Sequence, residues 1–308
     1  MKKTVKIGFL LLILGIILVI FGVANNGIKT VYWHNGFHVA KHYVKTSHPS
    51  EIKQITLKTG SDVIVRSGST NSVRVTSTNE RPTIKNDHGH VTISSKSKNY
   101  SSFNFQLTTP VVNQTIITVA KNTKLDQLTA GQAQIGDVRL SGLTIDKLTA
   151  QPQGALTLRD VTVTQPLKDL TAYDAHFTRV TAPSLTVKSD GDLTIDQSQF
   201  EQAASSLTSN DDMTMRQTKL KSGQINSSAS DVSLVDNQLL GQLTVKSTDS
   251  DIHVKTDQNN GINAHTDTGD LSIFGWHSDT QKSYQHQIKA SQQYRLISTN
   301  GDITVTDS

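Results

Sequence analysis

The stretch GDLTI, Gly191–Ile195, decides the fold of this 308-residue chain, because its pattern returns along most of the sequence. The pattern is a turn residue, then Asp, then two apolar residues separated by one polar residue, and it is termed the repeat phrase below. The other copies are SDVIV (61–65), GDVRL (136–140), DDMTM (211–215), SDVSL (230–234), SDIHV (250–254), GDLSI (269–273) and GDITV (301–305). Such recurrence predicts stacked structural units of one kind.

The spacing between copies gives the size of the unit. With looser copies included, the first apolar residues are Val138, Leu156, Phe177, Leu193, Met213, Val232, Ile252 and Leu271. The seven steps from residue 138 to residue 271 average about 19 residues. Another apolar residue follows most phrases after five positions, but the last two units have Asn259 and Ser278 there.

Within each phrase, apolar and polar residues alternate, which is the period of a β-strand with one buried face. Gly, Asp, Asn and Ser occupy the gaps, where turns are expected. The sequence therefore predicts an all-β fold, a parallel β-solenoid (β-helix) with about 19 residues per rung. An antiparallel sandwich or a propeller is the alternative for many short strands, although propeller repeats are about twice as long.

An apolar run precedes the repeats. Residues 7–24 are apolar apart from glycines and follow Lys2, Lys3 and Lys6. The run would reach about 27 Å as a helix, close to the hydrocarbon thickness of a bilayer. We expect one N-terminal transmembrane helix, with the N-terminus cytoplasmic and the C-terminal domain at the cell surface. A cleavable signal peptide ending near Ala24 is the alternative, and it would also export the body.

Four parts follow from these patterns. Residues 1–27 are the Lys-rich start and anchor, 28–50 a juxtamembrane linker, 51–120 an irregular β part of the solenoid, and 121–308 the regular solenoid with an aromatic insertion at 275–295. Strands of the irregular part are predicted at 55–57, 63–65, 73–75, 91–93, 103–107 and 116–119.

Composition limits the function classes. The chain has no cysteine and therefore no disulfide framework. Three of the positive charges behind its net charge of +4 belong to the anchor lysines, and no basic stripe follows, so a nucleic-acid partner is not expected. Sequence motifs of nucleophilic hydrolases, metalloproteases and phosphate-binding loops are missing, so we expect no enzyme and no cofactor. A β-helical polysaccharide-degrading enzyme is the catalytic alternative.

The aromatic insertion is the predicted contact site of the exported part. It contains the candidate partner-binding residues Trp276, His277, Tyr284, His286 and Tyr294. Insertions in repeat proteins form loops, which often bind partners. The alternative is that these rings cover the last rungs of the solenoid.

The linker carries a second group of candidates. Tyr32 and Trp33 follow the apolar run, where aromatic rings commonly rest at the membrane interface. His34, His38 and His42 are four residues apart, a spacing that would suit zinc on a helix. An Asn-Gly pair between them disfavours a helix, so a cluster of exposed histidines is the preferred interpretation, and no metal site is assigned.

The aspartates of the phrases are expected to stack above one another in successive rungs. These residues are Asp192, Asp212, Asp231, Asp251 and Asp270. Like charges at strand spacing repel, which raises the possibility of calcium. Aspartate is also an ordinary turn residue, and the glycine-rich period of calcium-binding repeats is missing, so the turn role is preferred.

The opening IKQITLKTGSDVIVRSG (52–68), the recurring TxxGDLxI phrases and the ending STNGDITVTDS (298–308) resemble the bacterial adhesin-like family with β-strand repeats, DUF4097. The resemblance covers residues 51–308. It implies an exported β-solenoid that acts in adhesion or envelope sensing, as in membrane-anchored Gram-positive members linked to envelope stress. The implied partners are membrane lipid through the helix and a cell-wall polymer or an envelope protein. Self-association of a structural solenoid is the alternative.

Overall fold

The N-terminal apolar run forms a helix. The computed structural model describes residues 2–24, 31–33, 36–95, 113–131 and 135–308. Helix α1 spans Lys2–Ala24. Its stretch Thr4–Gly22 has a mean hydropathy of 2.8 and is 0% buried. This helix is long and apolar enough to cross a membrane, which fits the predicted anchor and equally a signal sequence.

Thirty-three short strands account for most of the described residues. The first eleven are β1 (Val31–Trp33), β2 (Phe37–Val39), β3 (His42–Ser47), β4 (Gln54–Thr59), β5 (Asp62–Gly68), β6 (Ser72–Thr78), β7 (Thr83–Asp87), β8 (His90–Ser95), β9 (Gln114–Ala120), β10 (Lys124–Ala130) and β11 (Val138–Ser141). The next eleven are β12 (Thr144–Ala150), β13 (Leu156–Arg159), β14 (Thr162–Val163), β15 (Leu167–Ala172), β16 (Ala175–Thr178), β17 (Leu185–Ser189), β18 (Leu193–Asp196), β19 (Gln199–Phe200), β20 (Ser205–Ser209), β21 (Met213–Arg216) and β22 (Lys219–Leu220). The last eleven are β23 (Gly223–Ser227), β24 (Val232–Val235), β25 (Gln238–Leu239), β26 (Gln242–Ser247), β27 (Ile252–Lys255), β28 (Gly261–Thr266), β29 (Leu271–Ile273), β30 (Trp276–Ser278), β31 (Ser283–His286), β32 (Gln293–Ser298) and β33 (Ile303–Thr306).

The strands stack into long sheets with one strand per rung. Every copy of the repeat phrase lies in a fourteen-stranded sheet of order β3-β6-β9-β5-β11-β13-β16-β18-β21-β24-β27-β33-β29-β30, termed the phrase sheet. From β15 onward, the strands before the phrases lie in an eight-stranded sheet of order β15-β17-β20-β23-β26-β32-β28-β31. Six strands near the N-terminal end have the order β14-β12-β10-β4-β8-β7, and β1 pairs only with β2. Strand pairing is parallel between successive rungs, so the predicted all-β parallel solenoid is confirmed.

A third side of the regular rungs consists of very short strands. Strands β19, β22 and β25 form a three-stranded sheet, and bridges through Thr181 join it to β14. This run of β14, Thr181, β19, β22 and β25 is termed the short-strand ladder. Strands β14, β19, β22 and β25 contribute the apolar residue that follows the phrase of their own rung by five positions, such as Phe200, which is 0% exposed.

The core runs along the inside of the solenoid. In one rung Leu193, Ile195, Phe200 and Leu207 all point inward and are at most 1% exposed. Full burial of each such side chain contributes roughly 1.5–3 kcal/mol. Because each rung repeats the same inward positions, the apolar contacts continue from one rung to the next and stabilise the whole stack.

Strand register defines rungs of 18 to 20 residues. Val138 pairs with Leu156, and later rungs continue in the same way. The predicted series was wrong at one copy, because Leu156 pairs with Ala175 and not with Phe177. The first inward position of that copy is the small residue Ala175. The prediction chose the larger apolar residue Phe177, which is the second inward position of the same strand.

The C-terminal end does not follow chain order. Strands β32 and β33 lie between the rung of β26 and β27 and the rung of β28 and β29, and they pair in parallel with both. Strands β30 and β31 pair antiparallel with β29 and β28 on the outside. The residues of the predicted insertion thus form a terminal cap and then return the chain to fill an internal rung.

At the N-terminal end, too, the order of the strands in space differs from their order in the chain. Strands β4 and β5 lie between β8 and β9 on one side and β10 and β11 on the other. Strands β6 and β7 pair antiparallel with β9 and β8 and cap this end. All predicted strands of this part are found except 103–107, which lies outside the described residues, and β7 was missed.

Part of the predicted linker belongs to the solenoid. Strand β3 pairs antiparallel with β6 over six residues, so 42–47 is an edge strand of the phrase sheet and not a connecting segment. His38 lies in β2 and His42 in β3, and the helix required for a zinc face is therefore not formed there. His34 lies outside the described residues.

Candidate functional site

The aspartates of the phrases hold successive rungs together at one corner. Asp251 donates its backbone N–H to Oδ1 of Asp231 at 3.2 Å, and Asp302 donates in the same way to Asp251 at 2.8 Å. Asp270 donates to Asp302 at 2.7 Å. Asp302 therefore stands between Asp251 and Asp270, which the sequence predicted to be neighbours. Each carboxylate satisfies a backbone donor of the next rung, as is typical of turn aspartates.

Glycine precedes many of these aspartates because the rungs approach closely at the corner. A Cβ atom on Gly301 would collide with the backbone carbonyl of Ser250, and one on Gly269 would collide with that of Gly301. Backbone atoms cannot move aside as the end of a side chain can. The Gly-Asp pair is thus explained by stacking and needs no ligand.

Buried hydroxyls complete this corner. Ser298 donates its Oγ–H to the carbonyl of Ser250 at 3.2 Å and accepts from the N–H of Gly301 at 2.9 Å. Thr266 repeats both bonds with Gly301 and Gly269, each at 3.0 Å. Both residues are 0% exposed. In the sequence, these buried hydroxyls can be recognised as a Ser or Thr three residues before the turn residue of the phrase.

One group of carboxylates and imidazole could offer ligands to a metal. In the described part of the chain, Asp231, Asp251 and His253 have ligand atoms within 4.8 Å of one another. Calcium takes six to eight oxygens, whereas Oδ1 of both aspartates already accepts a backbone N–H. These contacts fit a corner of the solenoid better than a calcium cage.

Asp192 lies among other carboxylates of the corner. Burial, and then the charges of Asp211 and Asp174, raise the pKa of the Asp192 carboxyl above 3.8. Asp146 is the opposite case, because its hydrogen bonds from Thr164 and Lys124 lower the pKa of its carboxyl. Ionisation of Asp192 therefore opposes folding, whereas ionisation of Asp146 favours it.

The predicted aromatic contact site is largely a cap. Trp276 and Tyr284 stack with ring centroids 4.5 Å apart and an interplanar angle of 28°, and both are half-buried against the core. The ring of His286 meets Phe274 edge-on at 5.2 Å. His277 points outward and is exposed. The arrangement favours the interpretation in which these rings cover the last rung.

Tyr294 cannot contact a partner, which corrects its prediction as a binding residue. It is 0% exposed, and burial raises the pKa of its hydroxyl to about 12. Its ring fills the core between Leu243 and Ile262, with which it is in register. Its hydroxyl donates to the carbonyl of Asn237 at 3.4 Å. The sequence identified the aromatic residue but not the side of the strand on which it lies.

A cavity of about 570 Å³ lies beside Tyr294, and it was not predicted. It is termed the amide groove, and its walls include Gln238, Leu239, Leu240, Asn259, Asn260 and Gln292. It occurs where the short-strand ladder ends, since β25 has no partner on its outer side. The signal in the sequence was Asn259, which stands where earlier rungs have an apolar residue five positions after the phrase.

Tyr32 and Trp33 lie in β1 and pair through the backbone with His38 and Phe37 of β2. The two residues thus lie between α1 and the solenoid, and their side chains lie outside the described structure. Their contact with a membrane interface stays a prediction.

A comparison with models of known protein families finds one match over most of the chain. The family model described as Toastrack DUF4097 matches residues 52–306. A crystal structure titled "putative adhesin" from Parabacteroides distasonis is 12% identical, with 87% of this chain and 97% of that chain covered and a TM-score of 0.41. A second "putative adhesin", from Bacteroides fragilis, is 12% identical, with coverage of 87% and 97% and a TM-score of 0.36. A "putative lipid binding protein" from Parabacteroides distasonis is 11% identical, with coverage of 87% and 96% and a TM-score of 0.36. No curated protein matches the chain.

Proposed function

The chain belongs to the Toastrack DUF4097 family, and from this premise we propose that it is a membrane-anchored, non-catalytic binding module of the cell envelope. Helix α1 holds the chain in the membrane with its N-terminus in the cytoplasm. The solenoid stands outside the cell and binds a cell-wall polymer or an envelope protein, as an adhesin or a sensor of envelope stress does.

The observation that carries the proposal is the exposure of α1. Its segment Thr4–Gly22 is strongly apolar, with Lys6 as its one charged residue, and 0% buried, so no part of the described solenoid covers it. Exposed apolar surface of this size is stable in lipid and costly in water. The three lysines near its start favour the cytoplasmic side.

The capped ends of the solenoid support a separate binding module over a filament of copies associated end to end. Strands β30 and β31 cap one end, and β6 and β7 cap the other, in antiparallel pairs that do not continue the parallel stack. Covered ends limit strand pairing between copies. The phrase aspartates also use their oxygens on backbone amides, which supports a structural role for them over an acid and base pair.

The absence of cysteine allows a direct test of topology. Tyr173 is 60% exposed on the solenoid and accepts a unique thiol as Tyr173→Cys. We expect a membrane-impermeant maleimide to label this variant on intact cells. The matched variant Lys3→Cys should react only after the cells are permeabilised.

The fate of α1 separates an anchor from a signal peptide. The intact mass of the cellular protein should include residues 1–24, and the protein should stay in the membrane pellet after alkaline washing. A mature chain lacking these residues, or labelling of Lys3→Cys from outside, would contradict the anchored topology. Binding is tested separately, by adherence of purified cell walls to cells with and without the protein.

A further inference from the structure

The amide groove exists because one side of the solenoid stops early. Strand β25 pairs with β22 only, whereas the phrase sheet and the eight-stranded sheet each continue with three more parallel strands. Gln238 and Leu240 donate their N–H groups back to Thr218 and Leu220, at 3.0 and 2.8 Å. Because backbone groups alternate along a parallel strand, the N–H and C=O of Leu239 face the open side. The groove thus contains unused backbone groups as well as side chains.

The floor of the groove is rigid. Asn237 donates Nδ2–H to the carbonyl of Met215 at 2.9 Å and accepts the N–H of Thr218 at 2.9 Å. Asn260 donates to Oγ1 of Thr256 at 2.7 Å. The side chains of Asn237, Thr256 and Asn260 are thus fixed by hydrogen bonds before any ligand arrives. Preorganised polar groups lower the entropic cost of binding.

The walls of the groove are polar but carry no positive charge. Eleven residues line the cavity, nine of them with polar side chains, and none is Lys, Arg or His. In the described part of the chain the side-chain amides of Gln238 and Gln292 have no hydrogen-bond partner, and Leu240 adds an apolar patch that is 56% exposed. The carboxylates of Asp236 and Asp257 disfavour an anionic ligand.

We propose that the amide groove binds a neutral polysaccharide chain, with the free amides of Gln238 and Gln292 as ligands of its hydroxyls. An amide offers donors and acceptors together, as neighbouring sugar hydroxyls do. The apolar patch of Leu240 matches the C–H face of a sugar ring. A volume of about 570 Å³ lies within the range of ligand cavities. Strand addition of a peptide is less suited, because β25 presents an edge of two residues only.

This inference deepens the proposed function, on which it rests, by naming the class of ligand. The test uses the full chain in detergent micelles, titrated calorimetrically with cellohexaose, chitohexaose and mannohexaose. We expect saturable binding of at least one hexasaccharide with one site per chain. The double variant Gln238→Ala/Gln292→Ala should weaken it at least tenfold, whereas Gln285→Ala, an exposed amide on the outer face of β31, should leave it unchanged.

Three results would overturn the proposal. One is no binding of any hexasaccharide, and another is equal binding by the double variant with an unchanged melting temperature. The third is displacement of the sugar by poly(glycerol phosphate) or by oligoalanine, which would assign the groove to an anionic polymer or to a peptide. None of these results alters surface labelling of Tyr173→Cys, so failure here is distinguishable from failure of the proposed topology.

Discussion

The backbone N–H of Asp302 donates to Oδ1 of Asp251 at 2.8 Å, although 51 residues separate the two in the chain. The bond exists because β33 is inserted beside β27, ahead of β29 in space but after it in sequence. The repeat phrase therefore identifies positions that meet in space, while chain order does not say which copies are neighbours.

Removal of the carboxylate at this corner should destabilise the stack. Asp251→Ala leaves the N–H of Asp302 without its acceptor, and we expect the free energy of unfolding to fall by about 1 kcal/mol. Asp251→Asn keeps an Oδ1 acceptor and removes a charge next to Asp231, so it should be close to neutral. Urea unfolding of the full chain in detergent micelles measures both. An equal loss in the two variants would contradict a hydrogen-bonding role.

A methyl group at Gly301 should be costly. Its Cβ would meet the carbonyl of Ser250, so the two rungs must separate locally. We expect Gly301→Ala to lower the free energy of unfolding by roughly 1–3 kcal/mol, as overpacking does. Gly131→Ala is the control, since its Cβ would have only an ordinary contact at 3.9 Å with Thr129. Comparable melting temperatures for the two variants would show that the corner accommodates a Cβ atom at residue 301, which would contradict the close approach of the two rungs.

The sequence predicted the features that depend on burial in every rung, but not the order of the rungs or the cavity at one end. Alternation and the 19-residue period identified the solenoid and its inward residues, because burial acts on every rung alike. Insertion of β32 between β26 and β28 could not be predicted, since Tyr294 fits the same apolar pattern in any neighbouring rung. The amide groove was signalled only by Asn259, and a missing apolar residue does not say whether a cap, a cavity or a partner replaces it.

The raised pKa of Asp192 predicts a pH effect. The folded chain binds this proton more tightly than the unfolded chain, so ionisation opposes folding above the folded pKa, and the penalty disappears as pH falls through it. Asp192→Asn should therefore stabilise the protein at pH 7, by about 0.5 kcal/mol or less, because the carboxyl is only slightly buried and water screens most of its interactions. The gain should vanish near pH 3 in thermal unfolding.

Asp146, in β12, should show the opposite dependence of stability on pH. Hydrogen bonds from Thr164 and Lys124 lower the pKa of its carboxyl, so its contribution is present above 3.8 and is lost as pH falls through the folded pKa. Asp146→Asn should lower the melting temperature at pH 7 and have less effect below pH 3. A stabilising effect at neutral pH would contradict the assigned contacts.

The cap should matter for stability. Trp276→Ala removes a stacked ring from Tyr284 and exposes the last rung, so we expect a lower melting temperature. Tyr284→Ala should act through the same contact, and the double variant should lose less than the sum of the two. His277→Ala, on the exposed side of β30, is the control and should be neutral. If Trp276→Ala, Tyr284→Ala and the double variant all had unchanged stability, the rings would not act as a cap, and a partner-binding role would be favoured.

Tyr294 gives the sharpest test of the inserted rung. Its ring is 0% exposed in the core below the amide groove, so Tyr294→Ala should lower the free energy of unfolding by roughly 3–5 kcal/mol, as deletion of a large buried ring does. Tyr294→Phe keeps the ring and loses the interactions of the hydroxyl with the carbonyl of Asn237 and with Thr256, so about 1 kcal/mol is expected. Tyr173→Ala, at a tyrosine that is 60% exposed, should be neutral. If Tyr294→Ala were as stable as Tyr173→Ala, β32 could not lie between β26 and β28, and the order of rungs at this end would have to be revised.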